Sequence, residues 1–259
     1  MISMLVSILR FTCRTVLLLI YLLLFIFPSL MLINFYKNKD TDTGRIKSEK
    51  VVVHVARVLM WLFGTRVRVR GTPADAPVLI AANHISWLDI LALDSVRSMS
   101  FVGKAEIDQW PVFSYTARTG NTIFHQRGCH NSASDVTTLM TQRLKQGQRV
   151  AIFPEGGILA GTSTRMFHAR MFRAAVDAEC PVQPVMIRYM NRKGRDADIP
   201  FREGENMMMN MVRVLAHPRS EAEVHFLPVI DATGQPRRAL ADAARAAVVS
   251  SYEDISSHP

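Results

Sequence analysis

The sequence predicts an α/β fold, a mixed sheet flanked by helices, with an N-terminal membrane-embedded helical segment. Three observations lead there. Beyond Gly64, short apolar runs alternate with stretches at helical spacing, the pattern of strands and the helices that cover them. Ahead of that region, Thr15 to Asn34 is a run of twenty residues without a charge. As a helix it would reach ~30 Å, about the thickness of a bilayer core. Finally, polar clusters sit where apolar runs end, and open α/β sheets bind ligands at strand ends.

Taking the elements in order, the first 66 residues form a membrane helix or helical hairpin, and residues 67–259 the α/β domain. The uncharged run is too long for a secretory leader, and no small-residue cleavage site follows it. Arg10 and Arg14 flank one side, and Lys37, Lys39, Arg45, Lys47 and Lys50 the other, so both ends prefer the cytoplasmic face. A second apolar stretch, Val51 to Gly64, carries His54 and Arg57 and suits a helix in the interface with Trp61 at headgroup level. Pro28 offers a kink at which the first helix could turn back. A hairpin embedded from the cytoplasmic side is the preferred reading; a single span and a buried soluble helix are the alternatives.

In the second part, Val67–Arg70 alternates with period two and Pro77–Ala82 reads as a buried strand. Ser86–Val96 reads as a helix, and Ser100–Gly103 and Thr122–Phe124 as short strands. Ser134–Lys145 has Val136, Leu139, Met140 and Leu144 near helical spacing, with Gly147 as its stop. Arg149–Phe153 is a strand closed by Pro154, and Arg165–Ala178 is mostly helix. Pro184–Tyr189 and Glu223–Val229 are strands, the Met-rich Asn206–Leu215 a helix, and Arg237–Tyr252 an Ala-rich closing helix.

The composition is apolar, 49% hydrophobic, yet basic, with a formal net charge of +9. Such a surface would suit nucleic acid, anionic lipid or a phosphorylated small molecule. No zinc-finger spacing, RNP-like aromatic pattern or long basic block is present, which argues against nucleic acid and leaves the membrane as the better partner. Cys13, Cys129 and Cys180 are three in number without a CxxC spacing, so neither a disulfide framework nor a zinc site is expected. Nothing beside Cys129 would activate its thiol.

Three polar clusters carry the chemistry. His84 follows the strand-like Val78–Asn83, and Asp89 stands five residues on. A neutral imidazole there could take a proton from a hydroxyl, with the carboxylate fixing its tautomer. Helical geometry permits this only if His84 lies in the turn and Asp89 in the first helical turn. Against it, Ser86-Trp-Leu-Asp89 also reads as an N-terminal capping box. In the second cluster, Gly120 to Arg127, followed by Gly128, an arginine between glycines could grip phosphate, or could be an ordinary surface residue. His125 there reads as a sheet residue. The third is Phe153-Pro-Glu-Gly-Gly157, whose proline and glycines turn Glu155 out at a strand end. Glu155 could bind a hydroxyl, pair with Arg127 or organise the turn.

In this order the clusters resemble the bacterial lysophospholipid acyltransferases, typified by the 1-acyl-glycerol-3-phosphate acyltransferases. The four blocks are Asn83-His84…Asp89, Gly120…Phe124…Arg127, Phe153-Pro-Glu-Gly156 and Val182-Gln-Pro-Val185. The resemblance spans Gly71 to Tyr189, and an N-terminal membrane segment is typical of that family. One position departs: Gly157 stands where the family carries threonine or serine. The resemblance implies His84 as base, Asp89 as its partner, and Arg127, Glu155, Gly156, Gly120 and Phe124 as substrate-binding residues. It implies acyl transfer from acyl-CoA or acyl-carrier protein to the free hydroxyl of a membrane lysolipid, most simply 1-acyl-glycerol-3-phosphate, giving phosphatidic acid. Lyso-ornithine lipid is an alternative acceptor, and a non-catalytic lipid-binding protein the alternative of another class. A serine hydrolase is disfavoured by the lack of a GxSxG elbow. Direct transfer of this kind calls for no metal and no resident cofactor, and the implied location is the cytoplasmic side of a bacterial inner membrane.

Overall fold

Strand β2 (Val78–Ala82) is buried along its whole length, and this dictates a three-layer arrangement. Side chains alternate across a strand, so Val78, Ile80 and Ala82 enter one core while Leu79 and Ala81 enter the other. Both faces of the sheet must therefore be covered. A computed structural model of the chain describes residues 2–39, 41–75, 77–104, 122–125, 130–158 and 165–256.

The other strands are β1 (Thr65–Arg70), β3 (Ser100–Lys104), β4 (Ile123–His125), β5 (Arg149–Ile152), β6 (Val182–Asn191), β7 (Gly194–Arg195) and β8 (Ser220–Phe226). They lie in the order β1-β8-β6-β2-β5-β3-β4, with β7 paired to β6. β2 runs parallel to both neighbours, β5 and β6, whereas β8 is antiparallel to β6. The sheet is mixed, as expected.

One face is covered by α4 (Leu88–Asp94) and α7 (Met207–Ala216) together with the N-terminal helices α1 (Ile2–Tyr21) and α3 (Asp42–Leu62). The other is covered by α5 (His130–Lys145), α6 (Arg173–Ala178) and α8 (Arg237–Ser256), which supply Met140, Leu144, Ala175, Leu240, Ala244 and Val248. Of these, the larger side chains of Met140, Leu144, Leu240 and Val248 each contribute about 1.5–3 kcal/mol relative to exposure.

Local details differ from the sequence expectation for identifiable reasons. The helix after His84 is shorter than Ser86–Val96. It ends at Asp94, because the Ser95 hydroxyl turns back to the Ala92 carbonyl (2.7 Å) and Asp94 accepts the Met99 amide (3.1 Å). Residues 165–178 are not one helix; a 3-10 turn over Ala169–Phe172 precedes α6. β6 begins two residues before Pro184 and continues beyond Tyr189, and the two-residue β7 that folds back on it carries no periodic signal. Gly147 does stop α5, at φ 74°, with its amide on the Leu144 carbonyl.

The N-terminal segment is a hairpin whose corner is not Pro28. The helix continues from α1 through a π turn (Leu22–Ile26) into α2 (Phe27–Lys37). Pro28 has no amide to offer the carbonyl four residues back, and the wide turn directly before it accommodates that loss. From Met4 to Lys37 the run is 34 residues, long and apolar enough to cross a membrane. The chain reverses after Asn38, where the Thr41 hydroxyl accepts the Gly44 amide and starts α3. α3 then returns against α2, packing Val51, Val52 and Val55 on Ile26, Leu30 and Ile33. Leu23, Leu24, Phe27, Met31 and Trp61 remain exposed.

Arg10 and Arg14, which the sequence offers as flanking charges for topology, instead terminate α7. Arg10 donates to the Ala216 carbonyl (2.8 Å), and Arg14 to the carbonyls of Leu215 (3.1 Å) and His217 (2.7 Å). A cation at the carbonyl end of a helix is favoured by the dipole and satisfies groups with no intrahelical partner. The same guanidinium lies over Gly64, where φ is 73° and a Cβ would meet Arg14 Nη2 at 1.9 Å. We expect Arg14→Ala to cost about 1.5–3 kcal/mol, the range for hydrogen bonds to a charged group. Protease susceptibility of residues 1–40 in detergent should rise with it, whereas Arg10→Ala, which removes a single bond, should have the smaller effect.

Candidate active site

β2 ends at Ala82, and the next seven residues build the corner that carries His84 and Asp89. Asn83 is buried and clamps β2 to β6: its Nδ2 donates to the Ile187 carbonyl (2.9 Å) and its Oδ1 accepts the Ile187 amide (2.7 Å). His84 thus leaves the strand from a fixed point. Asp89 is the second residue of α4 and fully buried. Its Oδ2 lies 2.9 Å from His84 Nδ1 and accepts the amides of Ile85 (2.7 Å) and Ser86 (2.9 Å). Its Oδ1 accepts the Tyr189 hydroxyl at 2.7 Å.

This geometry dissolves the competition between capping and acid–base readings. The bond from the Ser86 amide back to Asp89 is half of a capping box. The same oxygen faces the imidazole. A buried carboxylate without partners would be strongly disfavoured in its charged form, and these donors compensate for its desolvation. With an acceptor at Nδ1, the neutral ring carries its proton there and presents Nε2 as the basic nitrogen. The ring is also held flat, stacked on Phe153 at 3.9 Å between centroids and 14° between planes. It remains only 14% exposed.

Phe153 opens the third cluster, at the end of β5, the neighbour of β2. Glu155 follows it, buried, and its carboxylate accepts the His84 backbone amide. Burial, with the nearby charge of Asp89 adding to it, pushes the Glu155 carboxyl up to about 7. Gly156 has φ 77°, and a Cβ there would lie 3.1 Å from His168 Nε2, so the turn requires glycine. Among the described residues, a Cβ at Gly157 would meet nothing within 4 Å. Nothing in the packing of those residues accounts for the departure from threonine or serine.

The structure thus gathers His84, Asp89, Glu155 and Gly156 at the carboxyl ends of adjacent parallel strands. Phe124 lies on β4, paired with Gly103 of β3. Gly120 and Arg127 lie outside the described residues. Sequence reasoning missed Asn83 as a clamp, Phe153 as the face on which the imidazole stacks, and Tyr189 as a partner of Asp89. The last was findable in principle: Tyr189 closes the run Pro184–Tyr189 expected to be a buried strand, and a buried tyrosine hydroxyl needs a partner. Trp87, next to this corner, donates from Nε1 to Asn210 Oδ1 (2.8 Å) on α7 and packs edge-on against Phe63.

Comparison with known proteins bears on the family and the fold. The family model described as Acyltransferase matches residues 66–188. The lyso-ornithine lipid O-acyltransferase of Pseudomonas aeruginosa is 35% identical over 182 residues, which cover 70% of either chain. A 1-acyl-sn-glycerol-3-phosphate acyltransferase of Neisseria meningitidis is 32% identical over 74% of this chain and 77% of its own. The chain belongs to the acyltransferase family. The solved 1-acyl-sn-glycerophosphate (LPA) acyltransferase PlsC from Thermotoga maritima has the same fold, with a TM-score of 0.76, 18% identity and 99% of each chain covered.

Two outcomes follow for this acyltransferase. Tyr189→Phe removes one bond to Asp89 without changing shape, and should lower kcat about tenfold, equivalent to ~1.4 kcal/mol, with KM little changed. Because the Glu155 carboxyl titrates higher in the folded protein, its ionisation opposes folding. Its favourable contribution is complete below about 4.5 and is lost as pH rises towards about 7. The melting temperature of wild type relative to Glu155→Gln should therefore fall across that window; a constant difference would place the Glu155 titration elsewhere.

Proposed function

We propose that the protein moves a fatty acyl chain from a thioester donor, acyl-CoA or acyl-carrier protein, to the free hydroxyl of a lysolipid. The observation that carries this reading is His84, whose Nδ1 is bound to Asp89, leaving Nε2 as the base. Nε2 removes the hydroxyl proton as the oxygen attacks the thioester carbonyl. The C–S bond breaks, the ester C–O bond forms, and the imidazolium returns its proton to the departing sulfur. Asp89 stabilises the imidazolium between these steps, which is the role of a buried carboxylate behind a histidine base. No covalent acyl-enzyme is required, so serine and cysteine nucleophiles have no part.

The preferred acceptor is 1-acyl-glycerol-3-phosphate, with phosphatidic acid as product. Arg127 would hold its phosphate, with Gly120 and Phe124 shaping the approach and Glu155 and Gly156 lining the acceptor side. The relative in Pseudomonas aeruginosa, named for lyso-ornithine lipid, supports a second acceptor whose carboxylate would also satisfy an arginine. Residues 1–66 would form a hairpin seated in the cytoplasmic leaflet of a bacterial inner membrane, and residues 67–259 the catalytic domain. The exposed apolar face of Leu23, Phe27 and Met31 supports that placement. The acceptor would then arrive from the bilayer and the donor from the cytosol.

The test is product formation by the purified full chain with acyl-CoA and, in parallel, lysophosphatidic acid and lyso-ornithine lipid, beside His84→Ala. We expect phosphatidic acid from wild type and a loss of at least about 10³-fold in the correctly folded variant, the scale of removing a general base with its partner. Product from lyso-ornithine lipid alone would transfer the assignment to the second acceptor. Equal turnover by both proteins would refute the mechanism.

A further inference from the structure

A groove of about 700 Å³ lies between α3 and the amino-terminal edge of the sheet, away from the corner that holds His84. α3 supplies Arg45, Lys50 and Arg57 to it, and the catalytic domain supplies Arg97 and Arg149. Arg149 opens β5 and Arg97 precedes β3, so these residues mark the starts of strands, whereas His84 and Glu155 follow strand ends. The groove is therefore separate from the acyl-transfer site.

Its charges are unbalanced. Five cationic side chains face two carboxylates, Glu49 and Asp75. Glu49 is already engaged by Arg149 at 3.3 Å. Arg45 and Arg57 spend their described bonds on neutral carbonyls of Gly147 and Ser95, apart from a long contact of Arg45 to the exposed Asp42. Lys50 and Arg97 are exposed and make no ion pair among the described residues. The Arg149 Nε is buried with no hydrogen-bond partner among the described residues. Like charges gathered around a concavity repel one another, and the arrangement relaxes when an anion enters. Guanidinium groups favour an oxyanion that can accept paired hydrogen bonds, and a phosphate, with more acceptor oxygens than a carboxylate, suits several such donors at once.

The location narrows the class further. Arg45 and Lys50 follow within two to three turns of the hairpin corner, where the apolar α2 ends at Lys37. The groove thus opens beside the polar end of the segment with the exposed apolar face. Its two walls belong to different parts of the chain, α3 and the catalytic domain. We propose that this groove binds a phosphate-bearing anion and that the bound anion ties the N-terminal hairpin to the catalytic domain. The phosphate can come from an anionic phospholipid headgroup or from a soluble polyphosphate, and the proposal does not depend on which acceptor the acyl-transfer site takes.

The experiment compares melting temperatures of the full chain. Pyrophosphate is added to protein in neutral detergent against chloride at equal ionic strength, and phosphatidylcholine nanodiscs are compared with discs containing phosphatidylglycerol. The variant Lys50→Gln/Arg97→Gln empties the groove of its two unpaired cations. Arg237→Gln/Arg238→Gln, on the exposed start of α8, removes the same charge elsewhere. Wild type and the α8 variant should be stabilised by at least one phosphate source. The groove variant should need about tenfold more of it for the same shift, the loss expected for two charge-assisted contacts. A response to phosphatidylglycerol only would identify the headgroup as the source, and a response to pyrophosphate only the soluble anion; either supports the site. Equal responses from all three proteins, or none from wild type, would overturn it.

Discussion

The carboxylate of Asp89 is the point on which the rest of the site depends. It lies wholly inside the protein, and each of its oxygens is committed: Oδ2 to the His84 ring and the amides of Ile85 and Ser86, Oδ1 to Tyr189. A charge so placed is tolerated only because these donors are present together. The corner from His84 to Asp89 cannot relax without stranding it, so the imidazole orientation is built into the backbone rather than left to side-chain choice. β6 contributes Tyr189 and, through Ile187, the clamp on Asn83. The central strands thus fix the His84 imidazole from beneath while the start of α4 fixes it from the side.

From this corner a continuous set of polar contacts runs to the N-terminal hairpin. Trp87 bonds to Asn210 in the middle of α7, and the carbonyl end of α7 is closed by Arg10 and Arg14 of α1. The apolar helix is therefore fastened to the element that supports the helix carrying Asp89. This accounts for two arginines within a segment otherwise suited to lipid: each donates to peptide carbonyls at the end of α7 instead of standing unsolvated in an apolar medium. α7 itself is two-sided. One side must pack beneath α1 and against the sheet through Val214 and Leu215, while Met208 and Met209 remain exposed.

Much of this was legible in the sequence because it is periodic or local. Alternation and apolar runs located β2, β5 and β8, helical spacing and Gly147 located α5, and the five-residue interval from His84 to Asp89 had a single geometry in which it could work. What was not legible arises from contacts distant in the chain. Nothing near Asp89 announces Tyr189, 100 residues away. Arg14 looks like a topological flank until α7 is folded against it. Pro28 looked like a corner, yet a single wide turn absorbs its missing amide and the true reversal is made by Thr41, an ordinary N-cap. The basic groove was illegible for the same reason, since its cations come from α3, from Arg97 and from Arg149, and no short window contains all of them.

The most direct test of the account is Asp89→Asn, assayed for kcat and KM with the fold verified by melting and circular dichroism. The amide keeps the size of the side chain but cannot serve as a charged acceptor for the imidazole and both amides together. We predict a fall in kcat of about 10³–10⁴-fold with KM nearly unchanged, as expected when the tautomer and the imidazolium lose their support. Retention of kcat within about tenfold of wild type, less than ~1.4 kcal/mol of the barrier, would contradict the central role given to this carboxylate.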